Sequence, residues 1–420
     1  MAASTLEAGM HARHAFTEVE AAGPAARPLD FTAAVVHRGM RVNAVVVVNP
    51  TTGARQMFRG VVHREPNPDS PYRFPTEAYW PQRQLQEAIF GSVWACLVLR
   101  RVSRTADVKA RVERGERGKA PKPIHTEVVW EVTHHHVAIK MVEWSAVRRL
   151  RGRHIEDPIK EVAAMQLLGT GSPHVLGSRE VLQDDQYLYS VMRYCRGGDL
   201  FGVVIAYADN ATEEGDERMP EPMVRYWFIQ ILKGLHYLQT RGTCHRDLSL
   251  ENILVDNEDC LVIDMGMCLR TPYSCPLNPG SVTDVTTGTI RRLIKPQGTC
   301  GKHNYMSPEI FQNSENFDGF AIDLWAAAII LYIMLTGFPP YDQASLVDQR
   351  FELIVNGHLV EQLDEWGVEI SREAGDLLQR MLQLDPRHRL TLADIMEHRW
   401  VTNPNIQPPP PPEPEGWRQR

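Results

Sequence analysis

The sequence predicts an α+β fold made of two unlike halves, and three features of its patterning predict it. Up to about residue 195 the apolar residues gather in short β-branched runs such as "GSVWACLVLRRV", "HVAIKMV" and "YLYSVMR", bounded by turn residues. From about Met223 onward the spacing turns helical, and "VRYWFIQILKGLHYLQ", "DLWAAAIILYIMLTG" and "AGDLLQRMLQL" each carry a wide apolar stripe. The glycine break in "CRGGDLF" separates the two regimes. Strands first and helices afterwards imply two lobes of different make-up meeting at a cleft.

At 420 residues the chain has room for one large two-lobed domain with extensions, or for two domains with separate cores. Its 43% hydrophobic and 23% charged residues are those of an ordinary globular protein. A net charge of -7 argues against nucleic acid as the main partner. The seven cysteines are scattered without paired metal-type spacing, which suits free thiols in a reducing compartment. The longest apolar run, Leu324 to Leu335, is far short of the roughly 20 residues a membrane helix needs, so it reads as a buried core helix and no membrane partner is expected. "MAASTLEAGMHARHAF" lacks an apolar leader core, and Glu7 and Glu18 argue against a transit peptide, so a cytoplasmic protein is expected.

Taken in order, residues 1–30 read as a flexible tail rich in alanine, glycine and proline. Residues 31–79 read as an extension of two or three short strands, with "HRGM" and "NPTTG" as breaks. The charged stretch within 103–132, "SRTADVKARVERGERGKAPKP", reads as a solvated surface loop inserted between two strands. "IKEVAAMQLL" follows Pro158, a residue tolerated in a first helical turn. Residues 402–420, with five prolines from Pro408 to Pro412, read as a polyproline II tail, either a spacer or a ligand for an SH3-like groove. Three adjacent histidines, His134 to His136, alternate faces on a strand and cannot converge on one ion.

Phosphoryl transfer from a nucleotide needs cations on the phosphates, oxygen ligands for magnesium and a carboxylate to orient the attacking hydroxyl. "VAIK" offers Lys140, "IKEVAAMQLL" Glu161, "HRD" Asp247, "EN" Asn252 and "IDMG" Asp264, in one order along the chain. "YMSPE" follows, then "DLWAAA" with Asp323 and "DPRHRLT" with Arg389. In these separated motifs the chain resembles the eukaryotic protein kinase superfamily over roughly residues 80–401. "GGDLF", "LTGFPPYD" and "EHRW" are similar to its calcium/calmodulin-dependent kinase group.

That resemblance implies a small, mainly antiparallel β lobe with one helix (80–191), a hinge (192–196) and a large, mainly helical lobe (197–401). It implies ATP held by Gly91, Val93, Ala138, Lys140, Met192, Tyr194, Cys195 and Asp199, with Mg2+ on Asn252 and Asp264. Glu161 would pair with Lys140, Asp247 would serve as catalytic base, and Arg389 would pair with Glu309. Arg246 would dock a phosphorylated loop placed there by an upstream kinase; Ser281, Thr283, Thr286, Thr287, Thr289 and Thr299 are the available hydroxyls, Thr299 first among them. Asp199 and Glu251 stand where relatives meet basic side chains, implying protein substrates with basic residues near the acceptor. No calmodulin-binding helix is evident after Trp400.

Four departures from the family pattern bear on activity. The nucleotide loop reads "QEAIFGSV", with Gln86 and Ala88 at two glycine places, and lost glycines keep a backbone from approaching phosphate. Met265 replaces a phenylalanine and can fill the same apolar slot. Ser249 stands where the family's catalytic loop has a lysine, and Lys302 where the facing loop has a threonine. The two changes read as an exchange in which Lys302, partnered by Ser249, returns the missing charge to the neighbourhood of Asp247. Ser249 and Lys302 therefore join Asp247, Lys140 and Glu161 as candidate catalytic residues. The reading is a protein serine/threonine kinase; the alternative is a weak or inactive pseudokinase acting as a nucleotide-binding or scaffold module.

Overall fold

The β-branched runs of the first half fold into one sheet. In the computed structural model, which describes residues 25–32, 34–67, 74–105, 126–150, 153–209 and 218–410, Val35–His154 and Ser178–Tyr194 form a first unit. Its strands are β1 (His37–Val42), β2 (Val45–Val48), β3 (Arg55–Phe58), β4 (Val61–Arg64), β5 (Glu77–Ala88), β6 (Gly91–Thr105), β7 (Thr126–Glu143), β8 (Ser178–Gln183) and β9 (Tyr187–Arg193), with one short helix, α1 (Trp144–Leu150). The order is β3-β2-β7-β6-β5-β4-β1-β8-β9, and β9 returns to pair with β7. Seven strands (β7, β6, β5, β4, β1, β8, β9) thus close on themselves and leave no free edge among them.

Two strands that precede the recognised motifs make this closure. β1 pairs antiparallel with β4 and parallel with β8, while Val62 of β4 sits opposite Tyr79 of β5. The expected boundary at residue 79 therefore falls inside β5, and "HRGM", expected to break a strand, lies within β1. The hydrogen-bonding edges of the neighbouring strands supply the reason, since pairing partners override a weak local pattern. "NPTTG" does turn the chain: Asn49 Oδ1 accepts from the amides of Thr51 and Thr52, and Gly53 takes φ +71°. The stretch 103–132 is shorter as a loop than expected, because β6 and β7 stay paired out to Thr105 opposite Thr126. Residues 106–125, where the basic run lies, fall outside the described residues.

The first unit has two interior clusters. One packs Val62, Tyr79, Cys96, Val98, Ile139, Leu182, Tyr189 and Val191. The other joins Val47, Phe58 and Val61 to Leu97 and Leu99, with Phe58 stacked 3.8 Å from Trp80. Residues 45–61 thus contribute directly to this core, at about 25 cal/mol for each Å² of apolar surface buried.

The second unit comprises Ile155–Gly177 and the chain from Cys195 on, together with residues before Val35. Its helices are α2 (Pro158–Leu168), α3 (Leu200–Asp209), α4 (Glu221–Thr240), α5 (Pro308–Gln312), α6 (Gly319–Thr336), α7 (Gln349–Val355), α8 (Leu359–Glu365), α9 (Arg372–Met381) and α10 (Leu392–Glu397). The helix expected in the small lobe, α2, groups with this unit rather than with the sheet. Asp157 caps it by accepting from Ile159 N, and Pro158 opens its first turn. Helix α6 is apolar all round and buried at every position, so it is the central helix of this unit. Its 18 residues and mean hydropathy of 1.9 would also permit a membrane crossing by composition, but here the whole segment is interior.

Three small sheets complete the unit among the described residues. β10 (Thr243–Cys244) pairs with β13 (Leu269–Arg270), and β11 (Ile253–Asp256) with β12 (Asp259–Val262). β14 (Tyr273–Cys275) lies between β15 (Asn278–Thr283) and β16 (Ile290–Arg291), so the loop from Asp264 to Glu309 contains a small sheet that its threonine-rich sequence did not announce. Residues 25–30, expected in a flexible tail, are strapped to this region: Ala26 is buried and its N–H donates to Leu293 O at 3.1 Å. The remainder of that tail, 1–24, and residues 411–420 of the proline tail lie outside the described residues. Before the prolines, Arg225 donates to the carbonyls of Trp400 and Asn405 at 2.6 Å each, tying residues 400–405 to α4.

Candidate active site

In the first unit, cross-strand register sorts the predicted nucleotide residues onto one face. Val93 lies opposite Lys140 and Lys140 opposite Ser190; Ala95 lies opposite Ala138 and Ala138 opposite Met192. Because side chains alternate along a strand, Val93, Ala138, Lys140 and Met192 all point to the same side of the sheet. Ile139 and Val191 point to the other side, into the core. Tyr194 follows the end of β9 and accepts a hydrogen bond from Arg83 at 3.1 Å. The predicted hinge thus begins as strand, since β9 runs through Arg193.

The eroded nucleotide loop is a tight hairpin. β5 and β6 remain paired to Ala88 opposite Gly91, with Ile89 and Phe90 as the only turn residues. Gln86 is exposed at the strand surface. Gly91 is required by packing, because a Cβ there would stand 1.9 Å from Met141 O of β7. Its retention therefore follows from the sheet, independently of any phosphate.

In the second unit, the loop after β10 is held from beneath by a buried carboxylate. Asp323 on α6 accepts from His245 N at 2.6 Å and Arg246 N at 2.8 Å. Burial pushes this carboxyl up to about 6, against the pull of His245 and those two amides. His245 Nδ1 accepts from Asp247 N, leaving Nε2 to donate to Ile263 O at 2.7 Å. Arg246 takes a left-handed φ of +69° and donates to Met267 O and Gly298 O. So the arginine expected to await a phosphate already holds the activation segment through two backbone carbonyls.

These constraints aim Asp247. Asn252 Nδ2 donates to Asp247 O at 2.7 Å and to Asp247 Oδ2 at 3.0 Å, so both amide hydrogens are engaged and Oδ1 of Asn252 is left as an acceptor. The β11–β12 hairpin links this asparagine to Asp264, with Ile263 N donating to Asn252 O. Asp264 has φ +65° and accepts from Gly266 N with Oδ1. An amide oxygen and a carboxylate oxygen presented in this way fit a hard cation such as Mg2+, which takes a few protein oxygens and completes its octahedron with water and phosphate. Burial first, and then the Asp264 carboxylate, raise Asp247 above its ordinary range; His245, Lys302 and the Asn252 amide act in the opposite direction.

Lys302 stands beside this loop. Its Nζ donates to Ser249 Oγ at 2.9 Å and lies 2.9 Å from Glu251 Oε1. Ser249 is fully buried, whereas the Lys302 side chain is 42% exposed, so the ammonium sits at the lip of a recess that Asp247, Gly301, Tyr305 and Ser307 also line. Glu161 is buried on α2, and Met265 is buried next to Asp264. Asp199, one of the two acids expected to meet a basic substrate, caps α3 by accepting from Gly202 N at 2.8 Å. The other, Glu251, faces Lys302. Asp323, marked in "DLWAAA" as an anchoring residue, is the carboxylate beneath the loop; sequence reasoning missed Tyr305 as a wall of the site, to which only "YMSPE" could have pointed.

This constellation defines a class. Residues 111–401 match the protein kinase domain family, and the chain belongs to it, with the family's two-lobed α+β fold. Among curated proteins it is 32% identical over 267 residues to CBL-interacting protein kinase 1 of Oryza sativa subsp. japonica, covering 63% of this chain and 50% of that protein. It is 31% identical over 267 residues to the Homo sapiens serine/threonine-protein kinase DCLK3, covering 63% of this chain and 36% of that one. It is 30% identical over 290 residues to CBL-interacting serine/threonine-protein kinase 16 of Arabidopsis thaliana, covering 66% and 55%. The chain spans about half the length of the curated relatives it matches.

Proposed function

We propose that this protein transfers the γ-phosphoryl group of ATP to serine or threonine hydroxyls of protein substrates. The observation that carries the reading is the doubly anchored Asp247, its Oδ2 fixed by Asn252 and its surroundings shared with Lys302. The relatives support the acceptor class, since DCLK3 and the Arabidopsis protein are serine/threonine-protein kinases. Asp247 orients the acceptor hydroxyl and takes its proton. Asn252 Oδ1 and Asp264 would hold magnesium, which when bound neutralises charge on the phosphate oxygens. Lys140, on the same sheet face as Val93, Ala138 and Met192, supplies the cation for the α and β phosphates, and Glu161 is its partner in this reading. Lys302 and Ser249 supply at the transferring phosphate the charge that a catalytic-loop lysine would otherwise bring. The scattered spacing of the seven cysteines suits a reducing compartment such as the cytoplasm.

A scaffold reading has one observation in its favour: the β5–β6 hairpin carries Gln86 and Ala88 where a phosphate-hugging loop needs glycine. Mass spectrometry of the purified protein incubated with ATP, Mg2+ and a peptide library separates the two. Phosphate incorporated by the wild type and absent from Asp247→Asn supports the kinase; nucleotide-dependent thermal stabilisation without incorporation supports the scaffold. The pH profile adds a signed expectation. Transfer needs Asp247 ionised, so the rate falls on acidification through a pKa above the ordinary carboxylate value, because burial raises it. Lys302→Met removes a charge that lowers that pKa, so the acid limb of the profile moves to higher pH.

A further inference from the structure

We infer that Glu251 is a positioning residue for Lys302, an inference that rests on the kinase reading above. An ammonium has three N–H donors in a near-tetrahedral array. In Lys302 one is directed at Ser249 Oγ and a second at Glu251 Oε1, each at 2.9 Å. Ser249 is fully buried, and Glu251 lies two residues further on, within the short helix Leu250–Asn252 that follows Ser249. The two acceptors therefore fix where Nζ stands, and from there the Lys302 charge acts on the Asp247 carboxylate. Lysine is a flexible point charge, so it is a reliable electrostatic group only when acceptors hold it. Tyr305, whose phenol is pushed up by burial and by the adjoining Glu251, forms the wall behind the carboxylate. Glu251 is thereby paired with a cation of its own chain.

The test is a double-mutant cycle on the full chain with Glu251→Gln, Lys302→Met and the pair. Glu251→Gln is expected to lower kcat about tenfold with the KM for ATP unchanged, because a charge-assisted hydrogen bond is lost while the nucleotide residues are intact. The double variant should be no slower than Lys302→Met, and Glu251→Asp should recover part of the rate. A melting-temperature cycle on the same three proteins without nucleotide reads the ion pair separately and should be non-additive. Multiplicative rate losses, or wild-type kcat in Glu251→Gln, overturn the inference while leaving the kinase reading intact. Full activity in Lys302→Met overturns instead the role given to Lys302, and with it this inference. A wild type that incorporates no phosphate removes the kinase reading and this inference together.

A separate observation concerns residues 25–30. We infer that they act as an intramolecular brace on the activation segment. Ala26 N donates to Leu293 O, Lys295 N to Ala26 O, and Leu29 N to Arg270 O, and Ile294 is in turn bridged to Phe317 at the entry of α6. The buried Arg270 guanidinium joins the two sides, donating to Asp30 O and pairing with Asp284 after β15. Together with Arg246 on Gly298 O, the segment is held in place by main-chain contacts that need no phosphate. Hydrogen exchange on the full chain and on Ala26→Pro, which lacks the donor to Leu293, checks this. Faster exchange at Lys295 and across 291–299 in the variant, with unchanged exchange in α6, supports the brace; unchanged exchange at 291–299 overturns it. Removal of residues 1–30 should enlarge the same difference.

Discussion

Lys302→Met is expected to slow phosphoryl transfer by about 10²-fold, measured as kcat on a peptide substrate, with the KM for ATP little changed. Removing one preorganised donor aimed at developing charge typically costs 10²–10³-fold. The lower end applies because the Lys302 side chain is 42% exposed and water partly replaces it. Ser249→Lys alone is expected to be harmful as well: it drives a second ammonium into a fully buried position already facing Lys302. Ser249→Lys combined with Lys302→Thr restores the arrangement usual in the family and should recover more rate than either single change. If the combined variant is slower than both, the two positions do not exchange roles.

Arg389→Met is expected to be the most destabilising single change named here, by about 3–5 kcal/mol, because breaking a buried pair strands its partner. Arg389 is almost wholly buried and donates to both oxygens of Glu309, at 2.9 and 3.2 Å. It also donates to Ala321 O and Gln383 O, and lies 4.9 Å from the centre of the Trp325 ring. A methionine leaves Glu309 without its cation and the carbonyls of Ala321 and Gln383 without this donor. Chemical denaturation should show the loss as a lower midpoint. Adding Glu309→Gln should return part of it, since the stranded charge goes; a midpoint for Arg389→Met within 1 kcal/mol of wild type would contradict the argument. The substitution acts on stability first, because the pair lies between α5 and the turn before α10 rather than against Asp247.

Local pattern sufficed wherever a segment's fate depends on its own residues. The apolar run of α6, the Pro158 start of α2 and the paired strands around Lys140 are legible because period and breaker residues act over a few positions. The order Lys140, Glu161, Asp247, Asn252, Asp264 is legible for the same reason, each lying in a short motif of recognisable chemistry. The missing lysine at Ser249 and the surplus one at Lys302 could be matched as complementary changes, although 53 residues separate them.

Other features depend on which distant segments share an edge. Nothing in "HRGM" or "VVHR" states that β1 lies beside β8 and β4 beside β5, closing the sheet, because a strand's partner is chosen by unpaired main-chain groups and shared core packing rather than by its own alternation. The strapping of Ala26 to Leu293 and the small sheet inside the activation segment have the same origin. Gly91 looked like a nucleotide residue and is held glycine by Met141 O. Glu251 looked like a substrate contact and faces Lys302. The residue types, their order and the chemistry they can perform were determined by the sequence alone. Which carboxylate meets which cation was decided only by the tertiary structure, because hydrogen bonds and ion pairs act over about 3 Å, a distance that chain separation does not encode.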